Sequence, residues 1–98
     1  MNAIENIKII KAGSFWQRFR GFMMKKSADY ALLFENCSSV HTFFMRFDID
    51  VLFIDKNGKA LKIKENIKPW RIVMPVKGAV SILEIPSYLN KTNILKTY

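Results

Sequence analysis

Residues 40–55 carry the densest pattern in the chain. There Ile49, Val51 and Phe53 fall on one face of an extended segment and Leu52 and Ile54 on the other. Both faces are apolar, which predicts a strand over Ile49–Ile54 covered on both sides. The run is too short for a core helix. Polar residues flank it: His41, Thr42, Arg46, Asp48, Asp50 and Asp55.

The remaining pattern builds a small sheet around this segment. Residues 4–11 alternate imperfectly and predict a first strand. Ser14 is a helix N-cap, and Phe15, Trp16, Phe19, Phe22 and Met23 follow at helical spacing. That is a short amphipathic helix, ended by Gly21 in a left-handed conformation. Residues 30–34 predict a strand, 35–39 a turn, and 42–45 a further short strand. Asp55-Lys56-Asn57-Gly58 is the strongest local signal, a hairpin. Two loops satisfy it: a two-residue type I′ turn, or a type I turn closed by Gly58 in a bulge. Asp55 at the first position favours the second.

The return strand is Ala60–Ile67, with Leu61 and Ile63 inward and Lys62 and Lys64 toward water. Pro69 stops it. Residues 70–74 are irregular or extended, 79–85 form another strand, and Ser87 after Pro86 caps a helical turn over 88–93. A chain of 98 residues with this pattern is one domain, residues 1–98. Its class is α+β, mainly β: a small curled sheet or partly open barrel with one or two short helices.

Composition changes the picture in one respect. Sixteen Lys and Arg against eight Asp and Glu give a net charge of +8, which favours polyanionic partners. Twelve of the sixteen are Lys and are spread along the chain, so genome bias or solubility is the stronger reading. The single cysteine, Cys37, excludes an intramolecular disulfide and a thiolate zinc cluster. Lys8 and Glu5 break any secretory pattern at the start, and no apolar run is long enough to cross a bilayer. The expectation is a cytoplasmic protein that does not engage membranes.

Each candidate for chemistry has a structural alternative. His41, the one histidine, suits a general base or a metal ligand, yet beside Phe43 and Phe44 it reads more readily as hydrogen-bonded scaffold. Cys37 precedes it by four residues, and a buried inert thiol is the stronger reading. Asp48 and Asp50 share a strand face about 7 Å apart. No further ligand completes a metal site, so no metal and no cofactor are expected. Asp50 instead opens the buried strand by pairing with Arg46 or by capping loop amides. Glu84 interrupts an apolar strand; if buried it needs a partner, with Arg71, Arg20 and Arg46 available. The functional version is a polar site where His41, Arg46, Asp50 and Glu84 converge; the structural alternative leaves Glu84 a solvent-facing strand residue. Trp70-Arg71 can stack on a base, a sugar or a peptide, or plug the core.

Four ordered motifs also resemble a known family. Phe15-Trp16…Arg18…Arg20-Gly21-Phe22-Met23 and Ala31-Leu32-Leu33-Phe34…Cys37 through Met45 come first. Asp50 through Gly58 and Val80…Leu83-Glu84-Ile85-Pro86 complete the set. Together they resemble the small prokaryotic family known as domain of unknown function 192. The resemblance implies a compact, mostly β domain with flanking helices. It supplies no reaction, cofactor or catalytic residue. Members usually follow Leu-Glu-x-Pro with a glycine, then a Gly-Asp turn and a terminal strand. Here Ser87-Tyr88 follows and the sequence stops at Tyr98, so the closing strand is expected to be shortened or absent.

Three functions remain in view. The first is a non-enzymatic binding or accessory module for a small molecule or protein, with its polar site around the central strand. The second is a nonspecific nucleic-acid binder using Lys56, Lys59, Lys62, Lys64, Trp70 and Arg71. The third is a small hydrolase or transferase dependent on His41. An uncovered sheet edge near the C-terminus leaves the state as monomer or weak homodimer.

Overall fold

The structure is a computed structural model that describes residues 7–14 and 20–98. Among these residues there are seven strands and one helix: β1 Lys8–Lys11, β2 Tyr30–Glu35, β3 Val40–His41, β4 Ile49–Ile54, β5 Ala60–Ile67, β6 Ile72–Val73, β7 Ser81–Pro86 and α1 Thr92–Thr97. A five-stranded sheet runs in the order β1-β2-β7-β4-β5, and β3 pairs with β6 in a separate two-stranded sheet. Only the β1–β2 pairing is parallel. The large sheet stays open, with β1 and β5 as its edges.

The two-sided apolar pattern of β4 places it inside. All six of its residues are buried. Ile49, Val51 and Phe53 pack with Ile82 of β7, Phe34 of β2, and Phe22, Met45 and Val73 from the segments that cover this face. Leu52 and Ile54 pack with Leu83 and Ile85 on the opposite face, where Ile94 of α1 joins them. The second face is thus closed by a helix, where the family pattern implied a terminal strand.

The β4–β5 hairpin takes the bulged form. The Gly58 N–H donates to the Asp55 carbonyl at 3.0 Å, with Gly58 at φ +79° and Asn57 not left-handed. The Asp55 Oδ1 accepts the Asn57 and Lys59 N–H groups at 2.8 and 2.9 Å, and the register slips by one residue between Phe53 and Ile54.

Several expectations are corrected. Residues 42–45 form a turn, with Phe44 at φ +61°, and the short strand precedes them at Val40–His41. The reason is Thr42, wholly buried, whose Oγ1 and backbone bind the 68–71 segment and stop the strand. Residues 72–73 are the partner strand, more regular than the sequence suggests. The last helix lies at Thr92–Thr97, not at 88–93, because Ser87 Oγ donates to Asp50 Oδ1 at 2.7 Å instead of capping. Leu61 is exposed, since β5 is an edge strand. Lys64 is half-buried, its ammonium 5.2 Å from the centre of the Phe53 ring. The helix expected after Ser14 falls mostly on residues 15–19, outside the described residues. Its predicted stop is visible, with Gly21 at φ +50°.

Candidate functional site

Strand register decides where the buried acids point. Glu84 is paired with Val51 on one side and Leu32 on the other, so its side chain enters the face occupied by Phe34, Val51 and Phe53. Asp50 is paired with Ile85 and points the other way. The two carboxylates therefore sit back to back across one sheet.

Glu84 is 2% exposed, and its Oε1 has no hydrogen-bond partner among the described residues. The expected guanidinium partner is not supplied: none of Arg20, Arg46 or Arg71 makes an ion pair with it among those residues. Burial in apolar surroundings disfavours the charged form, and the carboxyl is pushed up from 4.5 to about 8. Gly21 lies directly over it. A Cβ there would meet Oε1 at 3.4 Å and the Phe34 ring at 3.6 Å, ordinary contact distances, so it is the left-handed backbone at φ +50° that favours glycine here.

Above Glu84 opens a cavity of about 340 Å³. Arg20, Cys37, Ser39 and His41 contribute its polar lining, and Met23, Phe34, Val40 and Met45 its apolar lining. His41 Nδ1 accepts the Phe43 N–H at 3.2 Å, and the two rings stack with centroids 4.9 Å apart. A neutral imidazole held this way carries its proton on Nε2. Cys37 Sγ donates to the Ser39 carbonyl at 3.1 Å, so thiol and imidazole are both at the cavity but engaged with different backbone groups.

The predicted polar set is divided. His41 and Glu84 share the cavity. Arg46 is exposed and does not line it. Asp50 is 1% exposed on the far face, in a site of its own. Its Oδ1 accepts the Asn66 N–H at 2.9 Å and the Ser87 hydroxyl at 2.7 Å, and its Oδ2 faces the Lys91 ammonium at 3.0 Å. Burial alone would lower Lys91, but the hydrogen bond and charge of Asp50, with Glu65 behind it, hold the ammonium above its ordinary range. Asp50 does not pair with Arg46; it binds the left-handed Asn66 amide at the β4–β5 irregularity, the loop-amide alternative. Asp48 pairs instead with Lys68 at 2.8 Å.

The polyanion set is divided too. Lys56 and Lys59 sit at the hairpin tip, Lys62 and Lys64 along β5, and Trp70 and Arg71 beyond its far end, about 25 Å from the tip. Lys64 donates to the Met74 carbonyl at 3.2 Å. Among the described residues no cluster of three or more His, Cys, Asp or Glu is placed to hold a metal, and no helix is long and apolar enough to cross a membrane.

The fold places the chain among small, open-sheet β domains, here with a cavity above the buried Glu84. The chain belongs to the family of domain of unknown function 192, an uncharacterized ACR, whose pattern matches residues 1–96. It is 39% identical over 89 residues to a UPF0127 protein of Thermococcus sibiricus, covering 81% of this chain and 57% of that protein. It is also 39% identical over 87 residues to a UPF0127 protein of Pyrococcus horikoshii, covering 83% and 74%. A protein of unknown function from Novosphingobium aromaticivorans has the same fold, with TM-score 0.72 and 15% identity over 94% of this chain and 70% of that one. A second solved structure, described as a putative transcription regulator from Sinorhizobium meliloti, matches with TM-score 0.68 and 23% identity over 81% and 67%. Three of the four stretches that carry the family resemblance line the cavity: Arg20-Gly21 with Met23, the 34–45 segment, and Glu84.

Sequence reasoning missed Thr42, Ser87 and Lys91 as polar anchors. Ser87 and Lys91 carry no local signal, because they meet Asp50 from 37 and 41 positions away.

Proposed function

We propose that the chain is a non-enzymatic binding module whose cavity takes a small, partly apolar molecule bearing a carbonyl or carboxylate oxygen. The observation that carries this reading is the buried Glu84 Oε1, left without a partner at the cavity. Burying an unsatisfied polar group is costly, and such groups persist where a ligand completes them. Near neutral pH the raised pKa keeps Glu84 protonated, so it offers an O–H donor. His41 Nε2 and the Arg20 guanidinium are donors as well, which makes oxygen acceptors the complementary ligand chemistry.

Cys37 is a built-in reporter, since it lines the same cavity and is the chain's one thiol. A panel of small carboxylates and ketones is screened for slowing of Cys37 alkylation and a rise in melting temperature. True ligands do both, and bind more weakly above about pH 8 as Glu84 ionises. Glu84→Gln keeps an N–H donor and binds with a flat pH profile. If no compound protects Cys37, the reading fails. Affinity that grows with pH identifies an amine ligand instead.

A further inference from the structure

An exposed aromatic surface lies beside this cavity and is built at a conformational cost. Trp70 is 56% exposed and Phe44 48%, with ring centroids 4.6 Å apart. Phe43 joins them, 5.9 Å from Trp70, and leads back to His41. Phe44 and Trp70 both have positive φ, +61° and +66°, as does Met24 at +65°. Bulky residues rarely adopt that conformation, and three in one patch mark a surface held against local preference. The restraints are specific. The Trp70 N–H donates to the Thr42 carbonyl at 3.0 Å, and the Met24 N–H to the Phe44 carbonyl at 2.8 Å. Thr42 is itself anchored by its Oγ1 to the Lys68 carbonyl at 2.7 Å.

The charge around these rings is mostly positive; among the described residues Lys68 is the one cation there paired to an acid, Asp48 at 2.8 Å. The three segments that form the patch, 20–26, 41–46 and 68–74, contain Arg20, Lys25, Lys26, Arg46, Lys68 and Arg71 and no acidic residue. A second copy of the chain would bring the same cations together, so self-association through this face is opposed. We infer that the surface formed by Phe44 and Trp70 with Arg46 and Arg71 binds single-stranded nucleic acid, bases stacking on the rings and phosphates meeting the guanidinium groups. Fixed, partly exposed rings between cations are what a flexible polyanion with flat bases requires. An anionic lipid surface needs charge and apolar bulk but no positioned rings. It departs from an interface that joins the hairpin lysines to Trp70 and Arg71 by setting Phe44 against Trp70 and leaving the hairpin out.

The test is fluorescence anisotropy with a labelled twelve-nucleotide oligo-uridylate across a salt series. Wild type should bind, with affinity falling as salt rises. Trp70→Gly and Phe44→Gly remove a ring while tolerating positive φ, so both should remain folded. Each should weaken binding by about ten-fold or more without changing the salt slope. Arg71→Gln should lower the slope by about 0.7. Absence of binding at low salt overturns the inference. So does ring-independent binding matched by heparin, which reports charge alone. Anionic vesicles that require Trp70 while the oligonucleotide does not would reassign the face to a membrane and overturn it too.

Discussion

Asp50 and Glu84 are carboxylates on adjacent central strands, on opposite faces of the sheet and both shielded from water, and they have opposite fates. Around Asp50 the chain gives Oδ1 an amide and a hydroxyl, and gives Oδ2, which accepts no other hydrogen bond among the described residues, the Lys91 ammonium at 3.0 Å. Around Glu84 it supplies a cavity, apolar neighbours and a glycine, and leaves Oε1 unpartnered. A buried charge is retained when its surroundings complete it, and neutralises when they do not. Asp50 is accordingly a structural anchor that joins β4 to the end of β5 and to the segment before α1. Glu84 contributes nothing comparable to folding, which is why it is the better candidate for binding.

The largest expected effect is at the completed site. Asp50→Ala leaves Lys91 half-buried without its carboxylate and strands the Asn66 amide. Loss of one partner of such a buried pair costs about 3–5 kcal/mol. Urea unfolding of the variant should show a lowered midpoint with an unchanged slope. A shift under about 1 kcal/mol would remove the distinction between the two acids.

Glu84 should behave in the opposite sense. Its folded-state pKa of about 8 lies above the ordinary 4.5. The native state therefore holds a proton that the unfolded chain releases between these values. The resulting stability is fully present below pH 4.5 and is lost as pH rises toward 8, by at most about 1.4 kcal/mol per pH unit. Glu84→Gln removes this dependence and should be more stable than wild type near pH 8 by on the order of 2 kcal/mol. Melting curves between pH 5 and 9 check it, and parallel profiles for the two proteins would show that Glu84 ionises normally.

The contrast between these acids also marks what the sequence made legible. The two-sided apolar run of Ile49–Ile54 and the Asp-Lys-Asn-Gly hairpin are local patterns, and both appear as read. Which way Asp50 and Glu84 point depends on the β4–β7 register, a long-range property that no local signal encodes. Hence the grouping of His41, Arg46, Asp50 and Glu84 mixed residues from two faces. The 42–45 segment looked extended because Phe43, Phe44 and Met45 favour strands. The buried Thr42 hub overrides that preference through bonds to residues 26 to 29 positions away.

Lys91 tests whether the Asp50 site depends on its cation or on its neutral donors. Its pKa lies above the ordinary 10.5 despite partial burial. Its contribution is therefore fully present below that value and is lost as pH rises beyond it. Lys91→Met keeps the aliphatic bulk and leaves Oδ1 with both hydrogen bonds. The expected loss is about 1–2 kcal/mol, smaller than for Asp50→Ala, because the exposed part of the ammonium is already screened by water. Denaturant midpoints equal to those of Asp50→Ala would assign the whole site to the ion pair.

The smallest effect belongs to Asp48, the control for every statement about Asp50. It lies two residues earlier in the chain, carries the same functional group and also meets a lysine, at 2.8 Å from Lys68. Only the environment differs. The Asp48 side chain is 30% exposed and that of Lys68 66%, so water solvates both ions with or without the contact. The Asp48 carbonyl, which accepts the Ser87 N–H at 2.9 Å, survives truncation of the side chain. Asp48→Ala should therefore cost about 0.2–1 kcal/mol, and the difference from wild type should shrink further in 1 M salt, where the Debye length is about 3 Å. Urea midpoints at low and high salt measure it. A salt-insensitive loss as large as that of Asp50→Ala would mean that burial is not what separates these two aspartates.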